Sequence, residues 1–441
     1  MSLGLFTDLY ELAMLRAYWE LGLEDEAVFS LFVRRLPRER NFLVACGVQD
    51  LLDELQTFRF DAEDLDYLVA QGFPQPILKR LADFRFSGDV YALPEGTPFF
   101  ANEPIIEVVA PIAEAQVIET LVLNQVGLQS IIASKAARIV EAAQGRSVID
   151  FGGRRAHGLD AAVKAARAAY VAGAVATSNV LAGKTYGIPV AGTMAHSFVQ
   201  AYRSEADAFR AFSEIYPATV LLVDTYDTLG GVKKVIALAA ELGAAFKVRA
   251  VRLDSGDLVA LSRQAREMLD AAGLSAVRIF ASGGLNEERI AALLAEGAAI
   301  DSFGVGTDLV VSTDAPALDI VYKLTEYGGA GRMKFSTDKR FLPGRKQVFR
   351  HVQHETVMRD VIGRHGEALP GAPLLKQVMR GGVRLSPVEP LSVTQTRCLA
   401  EVARLPAALR ALTPARRPFE AEVSPALAEL ERKVAEELAD S

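Results

Sequence analysis

The most restrictive feature of this chain is an alternation, between about Ser147 and Tyr327, of short apolar runs with alanine-rich helical stretches. Each run ends in Gly, Ser, Asp or Arg and leads into a helical pattern, which is typical of βα units. Eight such runs are present, the number of parallel strands in a βα barrel. They are Ser147 to Phe151, Ala172 to Thr177, Ile188 to Gly192, Thr219 to Val223, Val248 to Leu253, Val277 to Ala281, Ile300 to Val305 and Ile320 to Leu324.

Clear helical patterns separate most of these runs, as in Leu229 to Leu242, Leu258 to Ala272 and Glu287 to Ala295. The connection from Ser178 to Tyr186 is short and contains glycine, so it does not fit a standard crossover helix. We therefore predict an α/β fold whose central part, residues 117–327, is an irregular, open βα barrel.

The segments on either side of the predicted barrel have a different pattern. Residues 1–116 combine amphipathic helix patterns, such as Leu9 to Leu21, with strand-like runs such as Ile105 to Ala110, which predicts an N-terminal α+β domain. Residues 328–441 begin with a glycine-rich linker and end in a charged helix pattern. We expect this C-terminal segment to pack back on the N-terminal domain.

Charge and composition exclude several classes of partner. The net charge is −7, with acids and bases interspersed, so no basic face for nucleic acid or membrane is indicated. There is no signal-peptide pattern, and no apolar run approaches the roughly 20 residues of a membrane span. The two cysteines, Cys46 and Cys398, lack the spacing of a zinc site or a disulfide framework. These features favour a cytoplasmic protein with a small-molecule partner.

Polar side chains follow most of the apolar runs. Because the carboxyl ends of barrel strands meet at one mouth, we expect these side chains to lie together. Arginine suits phosphate or carboxylate oxygens, whereas aspartate suits sugar hydroxyls or Mg²⁺, the latter directly or through water. The residues are Asp150, Arg154, Arg155, Ser178, Asn179, Thr193, His196, Asp224, Arg252, Asp254 and Asp257.

Two glycine-bearing loops follow the later runs, namely Ser282-Gly283-Gly284 and Gly304-Val305-Gly306-Thr307. Missing Cβ atoms allow backbone N–H groups to approach phosphate oxygens, which predicts a phosphate cradle. Tight strand exits account for the same glycines without any ligand.

Other residues also have structural interpretations that the pattern leaves open. Arg252 and Asp254 are two positions apart on one strand face, so they would also form a simple ion pair. The imidazole of His196 suits a base, a metal ligand, a nucleophile or a hydrogen-bonded structural residue. Tyr10 follows a helix start, where it would be one more buried aromatic residue.

Seven segments, in order along the chain, resemble the nicotinate phosphoribosyltransferase family. The resemblance extends from Thr7 to about Phe349, or roughly four fifths of the chain. The segments are Thr7 to Tyr10, Phe151 to Gly158, Thr177 to Gly183, Gly192 to Ser197, Leu222 to Tyr226, Val251 to Leu258 and Gly304 to Thr307.

The resemblance implies a type II phosphoribosyltransferase fold that works as a homodimer. The reaction joins nicotinate to phosphoribosyl pyrophosphate with Mg²⁺, and ATP as co-substrate phosphorylates His196. The family pattern implies a nicotinate site formed by Phe151, Ser178, Thr193 and Arg252, with Tyr10 contributed by the partner subunit. It implies a phosphoribosyl pyrophosphate site formed by Arg154, Arg155, Ser282, Gly283, Gly284, Gly304, Gly306 and Thr307. The expected catalytic residues are His196, Asp254, Asp224 and Arg154. From their carboxylate chemistry, rather than from the resemblance, we expect Asp224, Asp254 and Asp257 to bind Mg²⁺, directly or through water.

Ser178 helps to choose among relatives, because the nicotinamide-using pattern has Asp at this position. An aspartate accepts a carboxamide N–H but repels a carboxylate, so serine favours the acid. The alternatives are a nicotinamide or quinolinate phosphoribosyltransferase and a non-catalytic sensor of nicotinate nucleotide or phosphoribosyl pyrophosphate. Residues 222–231 also have a superficial similarity to the loop of type I phosphoribosyltransferases, against which the barrel pattern argues.

Overall fold

The computed structural model describes residues 2–334 and 341–439, and the chain divides into two compact units. Unit 1 consists of the residues up to Ala133 together with those from Ala317 onward, and unit 2 is Ser134–Pro316. Unit 2 begins later and ends earlier along the chain than the predicted barrel, residues 117–327. The first half of the helix Glu119–Ala142 places Leu121, Val122 and Val126 in the core of unit 1.

The helices and strands are numbered along the chain. Those up to residue 142 are α1 (Leu9–Leu21), β1 (Glu26–Val33), β2 (Leu43–Val44), α2 (Val48–Thr57), α3 (Ala62–Ala70), α4 (Gln75–Ala82), β3 (Asp89–Ala92), β4 (Pro98–Phe99), β5 (Pro104–Pro111), α5 (Ile112–Val117) and α6 (Glu119–Ala142). The next are β6 (Ser147–Asp150), α7 (Leu159–Val171), β7 (Ala176–Thr177), α8 (Val180–Tyr186), α9 (His196–Gln200), α10 (Glu205–Ile215), β8 (Val220–Leu222), α11 (Thr228–Leu242), β9 (Ala250–Leu253), α12 (Leu258–Ala271), β10 (Arg278–Ala281), α13 (Glu287–Ala295), β11 (Ser302–Val305) and α14 (Thr307–Val311). The last are β12 (Ile320–Tyr327), β13 (Ala330–Gly331), β14 (Lys346–Gln353), β15 (Thr356–Arg364), β16 (Ala372–Pro373), β17 (Lys376–Arg380), β18 (Val383–Arg384), α15 (Leu391–Ala403), α16 (Ala407–Arg410), β19 (Glu422–Val423) and α17 (Pro425–Ala439).

Unit 2 is built on a six-stranded sheet with the order β7-β6-β11-β10-β9-β8, in which every pairing is parallel. Helices connect these strands, which confirms a mixed α/β fold. Within the described residues the terminal strands β7 and β8 do not pair with each other, so the sheet is an open half-barrel.

Two of the eight strand predictions were wrong. Ile188 to Gly192 forms only one bridge, from Val190 to Thr177, rather than a full strand. Ile320 to Leu324 begins β12, which pairs antiparallel with β1 in unit 1 instead of joining the parallel sheet. Both runs are apolar like the others, and apolar character does not specify which neighbour a strand pairs with.

Short polar side chains cap the N-termini of three helices that follow strands of unit 2. The side chains of Asp227, Asp257 and Asn286 accept backbone N–H groups at the first turns of α11, α12 and α13. Such caps satisfy N–H groups that a helix start otherwise leaves without partners. As a result, each chain segment leaves the sheet within a few residues of the strand end, and the strand-end side chains stay at one edge.

Unit 1 contains a seven-stranded sheet with the order β13-β12-β1-β5-β3-β17-β18. Its central strands β1, β5 and β3 come from the N-terminal segment, and its outer strands come from the C-terminal segment. A separate four-stranded sheet, β16-β14-β15-β19, is formed by the C-terminal segment. No helix in the described part of the chain has the length and apolar character needed to cross a membrane.

Candidate active site

Side chains from several strands lie at the carboxyl edge of the unit 2 sheet. Phe151 follows β6, Asp224 follows β8, Asp254 follows β9 and Ser282 follows β10, while Arg252 lies within β9. Because β8, β9 and β10 are adjacent and parallel, their ends lie side by side. The hydrogen bonds between these residues show that the sequence prediction of a shared mouth holds for this group.

Arg252 lies at the centre of this group. Its Nε donates to Ser282 Oγ at 2.8 Å, one terminal nitrogen donates to Thr193 Oγ1 at 2.9 Å, and the other donates to Asp254 Oδ1 at 2.6 Å. The guanidinium carbon also lies 5.3 Å from the centre of the Phe151 ring, within the range of a cation–π contact. These contacts involve three of its five N–H groups, so the side chain retains donor capacity for a substrate anion.

Asp254 is held as an anion by its neighbours. Burial raises the pKa of its carboxyl, but hydrogen bonds from Ser282 and the charge and hydrogen bond of Arg252 more than offset this, and His196 adds to them. The net effect lowers the pKa of Asp254 below its usual value. An ionised carboxylate next to Arg252 therefore persists through neutral pH.

Asp224 combines structural contacts with an unused acceptor. Its Oδ2 accepts the backbone N–H of Asp254 at 3.2 Å and the hydroxyl of Ser255 at 2.6 Å. Its other oxygen, Oδ1, is buried and has no hydrogen-bond partner. Buried acceptors are rarely left without a partner, so this oxygen is a candidate ligand for a cation or a sugar hydroxyl.

His196 begins the short helix α9 and is oriented by a hydroxyl group. Its Nδ1 lies 3.1 Å from Thr225 Oγ1, the residue that follows Asp224. The hydrogen bond engages one ring nitrogen, and the direction of donation depends on the tautomer. Nε2 is then the nitrogen of His196 that is available for chemistry.

The two glycine-bearing loops differ in how much they need glycine. Gly283 and Gly284 both have left-handed backbones, with φ of +88° and +59°. A Cβ on Gly283 would overlap the carbonyl oxygen of Asp254, whereas a Cβ on Gly284 meets nothing within 4 Å. In the second loop, a Cβ on Gly304 would lie 2.8 Å from ring atoms of Phe151 and Phe280. Gly283 and Gly304 are therefore required by close packing at the sheet edge.

The remaining predicted residues of unit 2 lie at the periphery of this edge. Arg154 and Arg155 are exposed, in a 3-10 turn, Gly153–Arg155, after β6, and Ser178 is exposed directly after β7. Gly306 and Thr307 stand at the start of α14, which follows β11. The structure gives no direct contact between the arginines and the Arg252 group.

The three predicted metal-binding aspartates do not form one cluster. Within residues 2–334 and 341–439, no group of three or more His, Cys, Asp or Glu side chains is arranged to hold a metal ion. Asp257 instead caps α12, where its Oδ1 accepts the N–H groups of Val259 and Ala260 at 3.1 Å. A cation at this edge would therefore depend on Asp224, with further ligands supplied by substrate or water.

Comparisons with known proteins show which family the chain resembles. The family described as the nicotinate phosphoribosyltransferase N-terminal domain matches residues 5–127, and the nicotinate phosphoribosyltransferase family matches residues 146–338. The nicotinate phosphoribosyltransferase pncB2 of Mycobacterium tuberculosis is 57% identical over 411 residues, which cover 93% of this chain and 89% of the relative. The Bacillus subtilis nicotinate phosphoribosyltransferase is 46% identical, with 79% and 73% of the two chains covered.

A solved structure extends the likeness to the fold. The crystal structure of human nicotinic acid phosphoribosyltransferase has a TM-score of 0.87 and 28% identity, covering 98% of this chain and 100% of the human chain. The chain belongs to the nicotinate phosphoribosyltransferase family. The family predicted from the seven motifs is thereby confirmed, and so is the enzyme class.

Sequence reasoning did not single out Thr225 and Ser255, although the structure places both in contact with predicted site residues. Both follow a predicted aspartate directly, and both donate to or share a hydrogen bond with a predicted site residue. The signal that would have found them is their position, since each is a hydroxyl residue within three positions of the end of a parallel strand.

Tyr10, the last residue of the first family motif, belongs to unit 1. It lies in the first turn of α1 and is 47% exposed. Partial burial raises the pKa of its hydroxyl, and the nearby carboxylates of Glu119, Glu11 and Asp8 raise it further. Tyr10 is therefore a neutral, partly exposed aromatic residue rather than the buried core residue of the structural interpretation.

Proposed function

We propose that this protein transfers the phosphoribosyl group of phosphoribosyl pyrophosphate to nicotinate, forming nicotinate mononucleotide and pyrophosphate in NAD salvage, with ATP hydrolysis coupled through His196. The observation that carries the site assignment is the Arg252 group. It places a guanidinium with spare donors beside an aromatic ring and an ionised aspartate at the carboxyl edge of a parallel sheet. For the whole chain we propose the type II phosphoribosyltransferase fold.

In this proposal, Arg252 and Thr193 bind the carboxylate of nicotinate and Phe151 packs against its ring. The guanidinium is already aligned by three acceptors, so little side-chain freedom is lost when the substrate binds. The ring nitrogen of nicotinate is unprotonated near neutral pH and attacks the anomeric carbon directly. No general base is required, and the residues act mainly by positioning.

The ribose carbon develops positive charge as pyrophosphate leaves. The carboxylates of Asp254 and Asp224 stabilise this oxocarbenium-like state and accept ribose hydroxyls. Arg154 and Arg155 bind the pyrophosphate, and the loops of Ser282-Gly283-Gly284 and Gly304 to Thr307 hold the 5′-phosphate through backbone N–H groups.

The buried, unpartnered Oδ1 of Asp224 fits a divalent cation, and we assign Mg²⁺ to this residue. Bound Mg²⁺ supplies positive charge that neutralises the leaving pyrophosphate. Asp254 contributes to the same charge environment, whereas Asp257 serves the site by fixing the start of α12.

Ser178 supports selection of the acid over the amide. The side chain is exposed at the carboxyl end of β7, where an uncharged hydroxyl does not repel a carboxylate. We also propose a homodimer in which Tyr10 of a second copy covers the nicotinate ring. The exposure of Tyr10 supports this role, and the burial of the Cys46 and Cys398 thiols fits a reducing cytoplasm.

A turnover assay tests the substrate assignment. The protein is incubated with phosphoribosyl pyrophosphate and Mg²⁺, and with nicotinate, nicotinamide or quinolinate in parallel, with and without ATP. We expect nicotinate mononucleotide from nicotinate, with a higher yield when ATP is present. Product from nicotinamide or quinolinate but not from nicotinate would assign the alternative enzymes, and binding without any product would assign a sensor.

A labelling experiment tests the ATP coupling. With ATP labelled at the γ-phosphate, a phosphoryl group is transferred to His196 and ADP is released, and the phosphohistidine is later hydrolysed to inorganic phosphate. We expect His196→Ala to abolish the label and the ATP stimulation while some basal transfer remains. His354→Ala, at an exposed histidine of unit 1, is the matched control and should keep the label. Undiminished labelling of His196→Ala would reject this assignment.

A further inference from the structure

Asp150 and Thr177 form a buried carboxylate–hydroxyl pair beneath the site. They lie at the carboxyl ends of the neighbouring strands β6 and β7, and Thr177 Oγ1 donates to Asp150 Oδ2 at 2.7 Å. Both residues are almost completely inaccessible, with 1% and 0% exposure. The pair therefore lies below the surface that a substrate reaches.

Asp150 fixes two segments that carry predicted nicotinate contacts. Its Oδ1 accepts the backbone N–H of Gly152 at 2.8 Å, which sets the course of the chain directly after Phe151. Its backbone oxygen accepts the N–H of Ser178, also at 2.8 Å. A Cβ on Gly152 would overlap Val310, so the Phe151 loop has little room to shift.

Thr177 extends these contacts to a third segment. Its Oγ1 accepts the backbone N–H of Asn179 at 3.0 Å, which fixes the turn that holds Ser178. Its backbone N–H and carbonyl bond to Pro189 and Ala191, each at 3.0 Å. The chain from Ala191 then leads directly to Thr193 and His196.

We propose that Asp150 and Thr177 are positioning residues for nicotinate, which set the relative placement of the segments bearing Phe151, Ser178 and Thr193. This inference rests on the proposed function and assigns the pair no contact with substrate. A carboxylate suits the role because Gly152 and Thr177 both donate to it. An alanine would remove both acceptors.

Steady-state kinetics of Thr177→Val and Thr177→Ser test the inference. Valine matches threonine in shape but removes the hydroxyl, whereas serine retains it. We expect Thr177→Val to raise the KM for nicotinate about tenfold or more, and to lower the preference for nicotinate over nicotinamide, because small misplacements of binding groups cost up to about 100-fold. Thr177→Ser should recover the KM to within about threefold, since it keeps both hydrogen bonds.

Ser262→Ala is the matched control. Ser262 is a buried hydroxyl of unit 2, which donates to the carbonyl of Val259 and accepts the N–H of Ala299 at 3.0 Å. A purely structural role for Thr177 would make both variants lose thermal stability with an unchanged KM. Only a positioning role makes Thr177→Val raise the KM for nicotinate while Thr177→Ser keeps it near the wild-type value.

A folded Thr177→Val variant whose KM for nicotinate stays within about twofold of the wild type would overturn the inference, as would a failure of Thr177→Ser to restore it. If Thr177→Val does not fold, Asp150→Ala is measured instead, because alanine removes both acceptors, and an unchanged KM there has the same meaning. The proposed function fails separately, because it is rejected when the wild type itself does not convert nicotinate.

Discussion

Arg252 in unit 2 and Arg350 in unit 1 have nearly the same immediate surroundings. Each donates to an aspartate at 2.6 Å, Asp254 and Asp360 respectively, and each lies within 6 Å of a phenylalanine ring. Their positions differ. Arg350 is a buried residue of β14, paired with Asp360 on the antiparallel strand β15. Arg252 lies at the carboxyl edge of a parallel sheet, and its side chain is 14% exposed. An arginine–aspartate pair is therefore not by itself evidence of a site, and strand topology separates the two roles.

The carboxylates near the two arginines respond in opposite ways. Ser282 and Arg252 lower the pKa of Asp254 despite its burial. In unit 1, burial and the charge of Asp360 raise the pKa of Glu103 well above its usual value, although Arg350 opposes this. The hydroxyl of Ser282 and the guanidinium of Arg252 outweigh burial at the unit 2 carboxylate, whereas burial dominates at the fully enclosed Glu103.

The largest expected effect is on catalysis by Arg252→Lys. Lysine cannot donate simultaneously to Thr193, Ser282 and Asp254 in a planar fork, so the proposed nicotinate site loses its alignment. We expect kcat/KM to fall about 1,000-fold, or about 4 kcal/mol, with a change in unfolding free energy below about 1 kcal/mol. Kinetics and urea unfolding measure the two quantities, and a variant that loses stability but keeps its kcat/KM would reverse the comparison.

Arg350→Met is the converse experiment. Removing the guanidinium leaves Asp360 buried without its partner, and breaking a buried pair costs about 3 kcal/mol or more. We expect urea unfolding to show this loss, while the KM values for both substrates stay within about twofold of the wild type. A large rise in either KM, at a temperature where the variant is folded, would show that Arg350 also serves the active site.

Gly283→Ala and Gly284→Ala sharpen the comparison within the sheet edge itself. Both substitutions strain a left-handed backbone, at about 1 kcal/mol each. Only Gly283→Ala also pushes against the carbonyl of Asp254, so we expect it to lower kcat/KM about 100-fold and Gly284→Ala to lower it much less. Equal losses of kcat/KM in the two variants would mean that backbone strain, not the displacement of Asp254, is responsible.

Glu103→Gln should give the smallest effect, which depends on pH. Because the folded-state pKa of Glu103 is raised, its stabilising contribution is present below the unfolded pKa of about 4.5 and is lost as the pH rises through the folded value. Glutamine stays neutral throughout. The unfolding free energy of the variant relative to the wild type should therefore increase between pH 5 and pH 8. A difference that stays flat over this range would indicate that Glu103 is ionised in the folded protein.

Sequence periodicity predicted the local elements well, because strand and helix patterns are short-range. The helices α1 and α13 begin and end where the pattern predicted, and six of the eight strand predictions hold. Ile320 to Leu324 could not be assigned correctly, because its pairing with β1 depends on residues almost 300 positions away. Pairing over such distances leaves no periodic signal in either segment.

The candidate site could likewise be predicted only in part from the sequence. The convergence of strand carboxyl ends at one mouth predicted that Asp224, Arg252, Asp254 and Ser282 would lie together. The sequence did not reveal that Asp257 caps a helix, since an aspartate after a strand fits a metal ligand equally well. Nor did it reveal that Oδ1 of Asp224 is buried without a hydrogen-bond partner, because hydrogen-bond satisfaction depends on the folded surroundings.

The order of strands in the unit 1 sheet has a consequence for synthesis on the ribosome. The strands β1, β5 and β3 emerge first, while the strands that cover them on both sides, β12 and β17, come from beyond residue 317. Between β5 and β12 about 210 residues are added, which takes roughly 10 to 40 seconds at typical elongation rates. During that interval the apolar strand β1 has an open edge, which favours pairing with other chains. Unit 2 has no such delay, because its whole sheet is encoded between those two strands, so the nascent chain completes the parallel sheet of unit 2 before the seven-stranded sheet of unit 1.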